Sequence, residues 1–276
     1  FRAKAFKADL QLRAGQKDTA LELVNEVLRV DRHFEQALLV RARYHLITED
    51  IDAVVSDLRT VLRNNPESES ALVMLANAYL SSGSGQLADD TFRKVLDINP
   101  GNVQAAVPVI QSLLEKKDVD RSERLIESAL LRSPDNDILL SILAQIKLSK
   151  QDFAGSEKIV ARITKIGRNP AFGHYLAGRS LQAQGDYKGA LEDYRQALAI
   201  NPGLGRALEG LTTSYLRLGQ EAKLLGYLEE FRGTNPKNMM ALSIMASVYS
   251  KRGDRDTARQ LLEQGLEQDA KWVNGY

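Results

Sequence analysis

A chain of 276 residues with 43% apolar side chains carries enough material for one or two packed cores, which excludes intrinsic disorder. Lys and Arg number 37 against 36 Asp and Glu, a net charge of +1 that argues against a general polyanion binder. The absence of cysteine removes disulfide frameworks, thiolate metal sites and cysteine nucleophiles together. No stretch approaches the roughly 18 consecutive apolar residues of a membrane span, so direct membrane insertion is not expected. The chain opens on Phe1 without an initiator Met and reads as part of a longer protein.

Taken in order, the segments keep one clock. Prolines at Pro66, Pro100, Pro134, Pro202 and Pro236 recur at a single interval, doubled once between Pro134 and Pro202. The missing beat falls at Arg168, where the proline comes two positions late as Pro170. The clock divides the chain into eight repeats, 1–34, 35–68, 69–102, 103–136, 137–170, 171–204, 205–238 and 239–272, which read as a single domain over 1–276. Within each, apolar residues at helical spacing flank a turn that often holds Gly with Asp or Gln, as in Gly185-Asp186, Gly219-Gln220 and Gly253-Asp254. The residue before a proline is pushed out of helical geometry, so Asn99-Pro100 and Asn201-Pro202 close second helices. Every repeat is predicted to be a helix hairpin and no strand is expected.

The pattern resembles the tetratricopeptide-repeat (TPR) family, with small residues where paired helices cross. The first crossing position holds Ala8, Ala42, Ala76, Ala144, Gly178 and Ala246; the second holds Ala20, Ala88, Ser122, Ser156, Ala190 and Ala258. The sixth repeat matches most fully, through Gly178, Leu181, Gly185-Asp186-Tyr187, Ala190, Tyr194, Ala197 and Pro202. The resemblance covers the whole chain and implies an all-α, right-handed superhelix. Three repeats depart from it. The fourth carries Ile110 at the crossing and Pro108 inside its first helix, where a kink is expected. The seventh has Thr212, Leu224 and Phe231 at the three crossing positions, and the fifth has Ile163 at the last. These three hairpins are expected to pack less closely.

The resemblance also implies that first helices line a concave binding face, chiefly through positions two, five, nine, twelve and thirteen of each repeat. Here those positions hold the basic residues Arg2, Arg13, Arg43, Arg179, Arg206, Arg217 and Lys251, and the acidic residues Asp9, Glu115 and Glu209. Seven against three leaves +4, while the whole chain is +1. In the sixth repeat Phe172, Tyr175, Arg179 and Gln182 fall on one helical face, an aromatic pair beside an arginine that suits a binding anchor. The same aromatics could instead pack against a neighbouring repeat. Asn77 holds the ninth position of the third repeat. The candidate partner-binding residues are therefore Phe172, Tyr175, Arg179, Gln182, Arg206, Arg217, Arg43 and Asn77. Six leucines at the twelfth position, Leu12, Leu46, Leu80, Leu114, Leu148 and Leu216, are read as packing residues.

Other chemistry fails on context. Gly83-Ser84-Gly85-Gln86-Leu87-Ala88 has the form of a dinucleotide fingerprint but follows a helix, so no nucleotide cofactor is implied. His33, His45 and His174 have no metal-ligand spacing, and His174, at a position where the family carries a large apolar residue, is read as packing at a helix interface. No nucleophile stands beside a base. The clamp with which some family members hold acidic chaperone tails is missing: Val73, Pro108, Ile138 and Ile142 stand where most of its members would be. The resemblance points to a non-catalytic scaffold for a protein or peptide partner with an acidic segment, and to a bacterial protein serving cell-envelope or exopolysaccharide assembly. A spacer or oligomerisation module is the alternative. Location stays open between the periplasm or cell envelope and the cytoplasm. The ends lack dedicated caps, so Leu261, Leu262 and Leu266 are expected to be exposed or to meet another chain.

Overall fold

The structure, a computed structural model, describes residues 1–268. The last four residues of the eighth repeat and the four beyond it lie outside the described residues. Sixteen helices and no strand are found among the described residues. They fall into two compact units, Phe1–Pro134 and the residues from Asp135 onward.

The first unit contains α1 (Arg2–Arg13), α2 (Lys17–Val30), α3 (Glu35–Ile47), α4 (Ile51–Asn64), α5 (Glu69–Ser81), α6 (Gly85–Ile98), α7 (Val103–Glu115) and α8 (Val119–Arg132). The second contains α9 (Asp137–Ser149), α10 (Phe153–Ile166), α11 (Pro170–Ala183), α12 (Tyr187–Ile200), α13 (Gly205–Arg217), α14 (Glu221–Thr234), α15 (Met239–Lys251) and α16 (Arg255–Gln268). Each repeat supplies one hairpin. The even-numbered helices are all of one length and begin at the same station of every repeat, from Lys17 and Ile51 through to Arg255.

The turn explains this regularity. Position fifteen is left-handed in all eight repeats: Gly15, Gly83, Gly185, Gly219 and Gly253 have φ between 67° and 87°, and Glu49, Lys117 and Gln151 take the same conformation at 58–60°. Glycine adopts it freely, whereas the three side chains accept strain of about 1 kcal/mol or more each. Asp side chains then cap several second helices: Asp50, Asp118, Asp152 and Asp186 accept from the backbone N–H three residues on. The exposed Asp152 carboxyl is held below its ordinary pKa, chiefly by the Gly155 N–H and then by Lys147.

Core packing follows the small-residue rule. Ala8, Ala42, Ala76, Ala88 and Ala190 are fully buried, and so are Ser122 and Ser156. In the first unit, repeats are also clasped by polar bonds: Glu35 accepts from Asn65 Nδ2 at 3.2 Å and Ser68 Oγ at 2.7 Å, and Glu69 accepts from Asn99 and Asn102 at 2.9 and 3.0 Å. Arg41 on α3 donates to both oxygens of buried Asp57 on α4, at 2.8 and 2.6 Å. This fork–fork geometry holds the Arg41 guanidinium above its ordinary pKa, first through the hydrogen bond to Asp57.

Three expectations need adjustment. Pro170 does not close α10; that helix ends at left-handed Gly167, and Pro170 opens α11, where its missing N–H is harmless, under an Asn169 cap. Among the irregular hairpins, the fourth and especially the seventh are looser, but the fifth packs as closely as the regular ones because Ile163 is accommodated fully inside. At the last helix, Leu261 is buried on the face it shares with Ala258 and Gly265, while Leu262 and Leu266 are half-buried.

Candidate protein-binding face

The residues predicted to bind a partner divide between the two compact units. Phe172, Tyr175, Arg179 and Gln182 come together on α11, and Arg206 and Arg217 lie on α13, which packs beside α11 in the second unit. Arg43 and Asn77 belong to α3 and α5 of the first.

On α11 the aromatics form a supported platform. Tyr175 is only 4% exposed, its ring centre 5.3 Å from that of Phe172 and 6.4 Å from that of Tyr194 on α12. Phe172 is half-buried. The exposed Arg179 guanidinium lies 6.0 Å above the Tyr175 ring, a cation–π contact. Tyr194 is fully buried, and its hydroxyl donates to Gln182 Oε1. Burial, and then the nearby Tyr175 phenol, hold the Tyr194 hydroxyl well above the usual tyrosine pKa, with Arg179 opposing. Tyr175 thus underlies the surface and Arg179 is its exposed part.

Tyr194 needs two glycines. A Cβ at Gly178 would stand 2.9 Å from its ring, and one at Gly210 on α13 would stand 2.3 Å from its ζ carbon. Sequence reading recognised Gly178 as a crossing residue but had no reason to single out Gly210, since it sits outside the family's small positions.

Arg179, Arg206 and Arg217 are exposed and, among the described residues, in no ion pair. Arg43 differs. It donates to Asp9 on α1, which also accepts from Arg13 Nε at 2.9 Å, so one of the two positive charges expected from Arg13 and Arg43 is offset there. A hollow of about 400 Å³ beside this network is lined by Phe6, Asp9, Leu39 and Arg43.

Further along the second unit, α13, α15 and α16 bound a hollow of about 1410 Å³ whose lining includes Glu209, Thr212, Leu216, Met240, Ser247 and Lys251. Thr212 Oγ1 is buried there without a hydrogen-bond partner. Leu216, read as packing, is 40% exposed, and Leu80 in the first unit is 47% exposed. No group of three or more His, Asp or Glu side chains gathers in metal-binding fashion among the described residues, and none of their helices is long and apolar enough to cross a membrane.

A family model described as the cytochrome c-type biogenesis protein H TPR domain matches residues 21–169, more than half of the chain. The chain belongs to the tetratricopeptide-repeat family. Two further tetratricopeptide-repeat models match residues 171–204 and 241–271, so both compact units carry the signature. The photosystem I assembly protein Ycf3 of Synechococcus sp. (strain CC9311) is 32% identical over 103 residues, 36% of this chain and 57% of that protein. The TPR chain thus spans little more than half the length of the curated relatives it matches. Among solved structures, a tetratricopeptide repeat protein from Parabacteroides merdae superposes with a TM-score of 0.64 at 12% identity, covering 86% of this chain and 94% of that one. PilW, a type IV pilus biogenesis factor, superposes with a TM-score of 0.58 at 18% identity, covering 77% and 96%. These two likenesses concern the fold.

Proposed function

We propose that the TPR chain is a non-catalytic assembly scaffold whose second compact unit holds an acidic segment of a partner protein against α11 and α13. The carrying observation is that Arg179, Arg206 and Arg217 are exposed and in no ion pair among the described residues, whereas Arg43 is already engaged by Asp9. Exposed guanidinium groups bring a carboxylate-bearing segment in by long-range attraction, with apolar contact then supplied by half-buried Phe172 and exposed Leu216. Arg179 is held over the Tyr175 ring, so it loses less freedom on binding than a free side chain would. The same proposal extends to a role in bacterial cell-envelope or exopolysaccharide assembly. The cytochrome c-type biogenesis family model and the photosystem I assembly relatives support an assembly role, since one name speaks of biogenesis and the other of assembly.

The test places a photo-crosslinking residue at exposed position 213 on α13 and identifies the captured protein. Its affinity is then measured over a salt series for the parent chain and for Arg179→Glu with Arg217→Glu. Charge reversal is expected to slow association and flatten the salt dependence. An unchanged affinity and salt slope would sink the assignment of this face.

A further inference from the structure

On the side of α11 that faces α10 and α12 lies a crevice of about 580 Å³, mostly apolar, formed by Val160, Ala161, Ala177, Leu181, His174 and Asp193 with Glu157 and Lys165 at its edge. His174, read from sequence as packing at a helix interface, is instead half-exposed, and its Nδ1 is 2.9 Å from Asp193 Oδ1. Its neighbour Glu157 accepts from Gln184 at 3.0 Å.

The repeat register supplies two internal templates for what is missing. In the seventh repeat the equivalent space, against α12 and α14, is filled: Leu208, Leu211 and Tyr215 are buried where the sixth has His174, Ala177 and Leu181. There Arg195 from α12 closes the space, its guanidinium 5.7 Å from the centres of the Tyr215 and Tyr227 rings. The position of Arg195 is held by Ala161 one repeat earlier, and that of Tyr227 by Asp193. In the second repeat the carboxylate at this same position is Asp57, and it is met in bidentate fashion by Arg41. The position of Arg41 corresponds to Ala177 in the sixth. Both templates place a guanidinium where the sixth repeat has only alanine, and the carboxylate of Asp193 is still present, with His174 on its Oδ1.

We propose that this crevice is a second docking site, separate from the α11–α13 inner face, which takes an arginine side chain presented by a partner protein. The methylene stem lies along Val160, Ala177 and Leu181, and the guanidinium reaches the Asp193 carboxylate with Glu157 nearby, as Arg41 reaches Asp57. Glu157 and Asp193 face one lysine, Lys165, and the His174 ring on Asp193 Oδ1, so an incoming guanidinium meets Asp193 Oδ2 and Glu157, while the inner face favours an anion. An Arg–carboxylate fork is specific in geometry as well as charge, which distinguishes arginine from lysine and from a neutral isostere.

The probe is a capped alanine-rich helical peptide of about 16 residues bearing one arginine, compared with versions carrying citrulline or glutamate in its place. Methyl NMR of the full chain follows Val160, Ala161, Ala177 and Leu181. Saturable shifts at these methyls with the arginine peptide are expected, weakened about tenfold or more by citrulline, by Asp193→Asn and by Ala177→Arg, which supplies the guanidinium from within. Arg179→Glu, on the inner face, should leave them unchanged. Ala177→Leu, the residue present at this position in repeats three, five and seven, blocks the crevice by volume and stands in should Ala177→Arg fail to fold. Absence of shifts at millimolar peptide, equal binding of citrulline, or undiminished binding in the blocked variants would overturn the proposal.

Discussion

The sixth and seventh hairpins are adjacent, of equal register and in the same compact unit, yet α11 and α12 pack far more closely than α13 and α14. At the crossing the sixth has Gly178, Ala190 and Ala197, all buried, so backbones approach and Tyr194 becomes a fully buried post between α11 and α13. The seventh has Thr212, Leu224 and Phe231, whose bulk holds its helices apart and leaves Thr212 Oγ1 buried without a partner. Close approach gives a rigid base for Arg179; separation gives the hollow beside α15. In these two hairpins the crossing residues therefore set which is the firm support and which leaves room.

Loss of the Tyr194 post should have the largest effect on the sixth hairpin. Tyr194→Ala is expected to cost about 3–5 kcal/mol, as for other large buried aromatics, and to lower hydrogen-exchange protection in α11 and α12 before α14. Equal loss across all three helices would count against the localised support. Gly210→Ala should cost about 1–2 kcal/mol in urea unfolding, because the added carbon lands on the Tyr194 ring and outweighs the gain in helix propensity. A stabilised variant would show that the ring can move aside.

The seventh hairpin should respond in the opposite sense. Thr212→Ala removes an unsatisfied hydroxyl and favours helix, for a gain of up to about 1 kcal/mol seen as a higher unfolding midpoint. At the start of α14, Gln220 makes no side-chain cap bond, whereas Asp186 caps α12 at 2.8 Å. Gln220→Asp should therefore add about 0.5–1 kcal/mol. The subtlest difference lies in alkaline titration. Burial, the larger cause, pushes the Tyr227 hydroxyl up to about 12, against the lowering effect of Arg195. The unfolded chain releases that proton first, so stability present below pH 10 falls as pH rises through about 12. Tyr227→Phe should flatten the decline across that window, and an unchanged slope would show that other groups cause it.

Much of this was open to sequence reading because a fixed repeat turns position into environment. The eight hairpins and the loose seventh repeat follow from prolines and crossing residues alone. Turns at Glu49, Lys117 and Gln151 were recoverable only from register, since these residues carry no local signal for a left-handed backbone. Charge was less legible. A count of lining residues treats Arg43 and Arg179 alike, but an acceptor one repeat away, Asp9, engages one of them. Tyr175 likewise fits either an exposed anchor or a packed ring by position; its 4% exposure follows from Tyr194, which approaches from the next helix. The crevice was half visible, in that His174 stood out at an apolar position, while its acceptor Asp193 became meaningful only once α11 and α12 were seen together.

The constant start of every second helix has a consequence for how such a chain can change in length. Gain or loss of one whole repeat leaves each remaining side chain at its former station in the cycle. A change of any other length within a helix rotates the residues beyond it by about 100° each, until small residues no longer meet at the crossing. Unequal recombination between repeats is therefore the route of lengthening or shortening that the fold tolerates, and short insertions should collect at the turns around position fifteen, where no crossing lies.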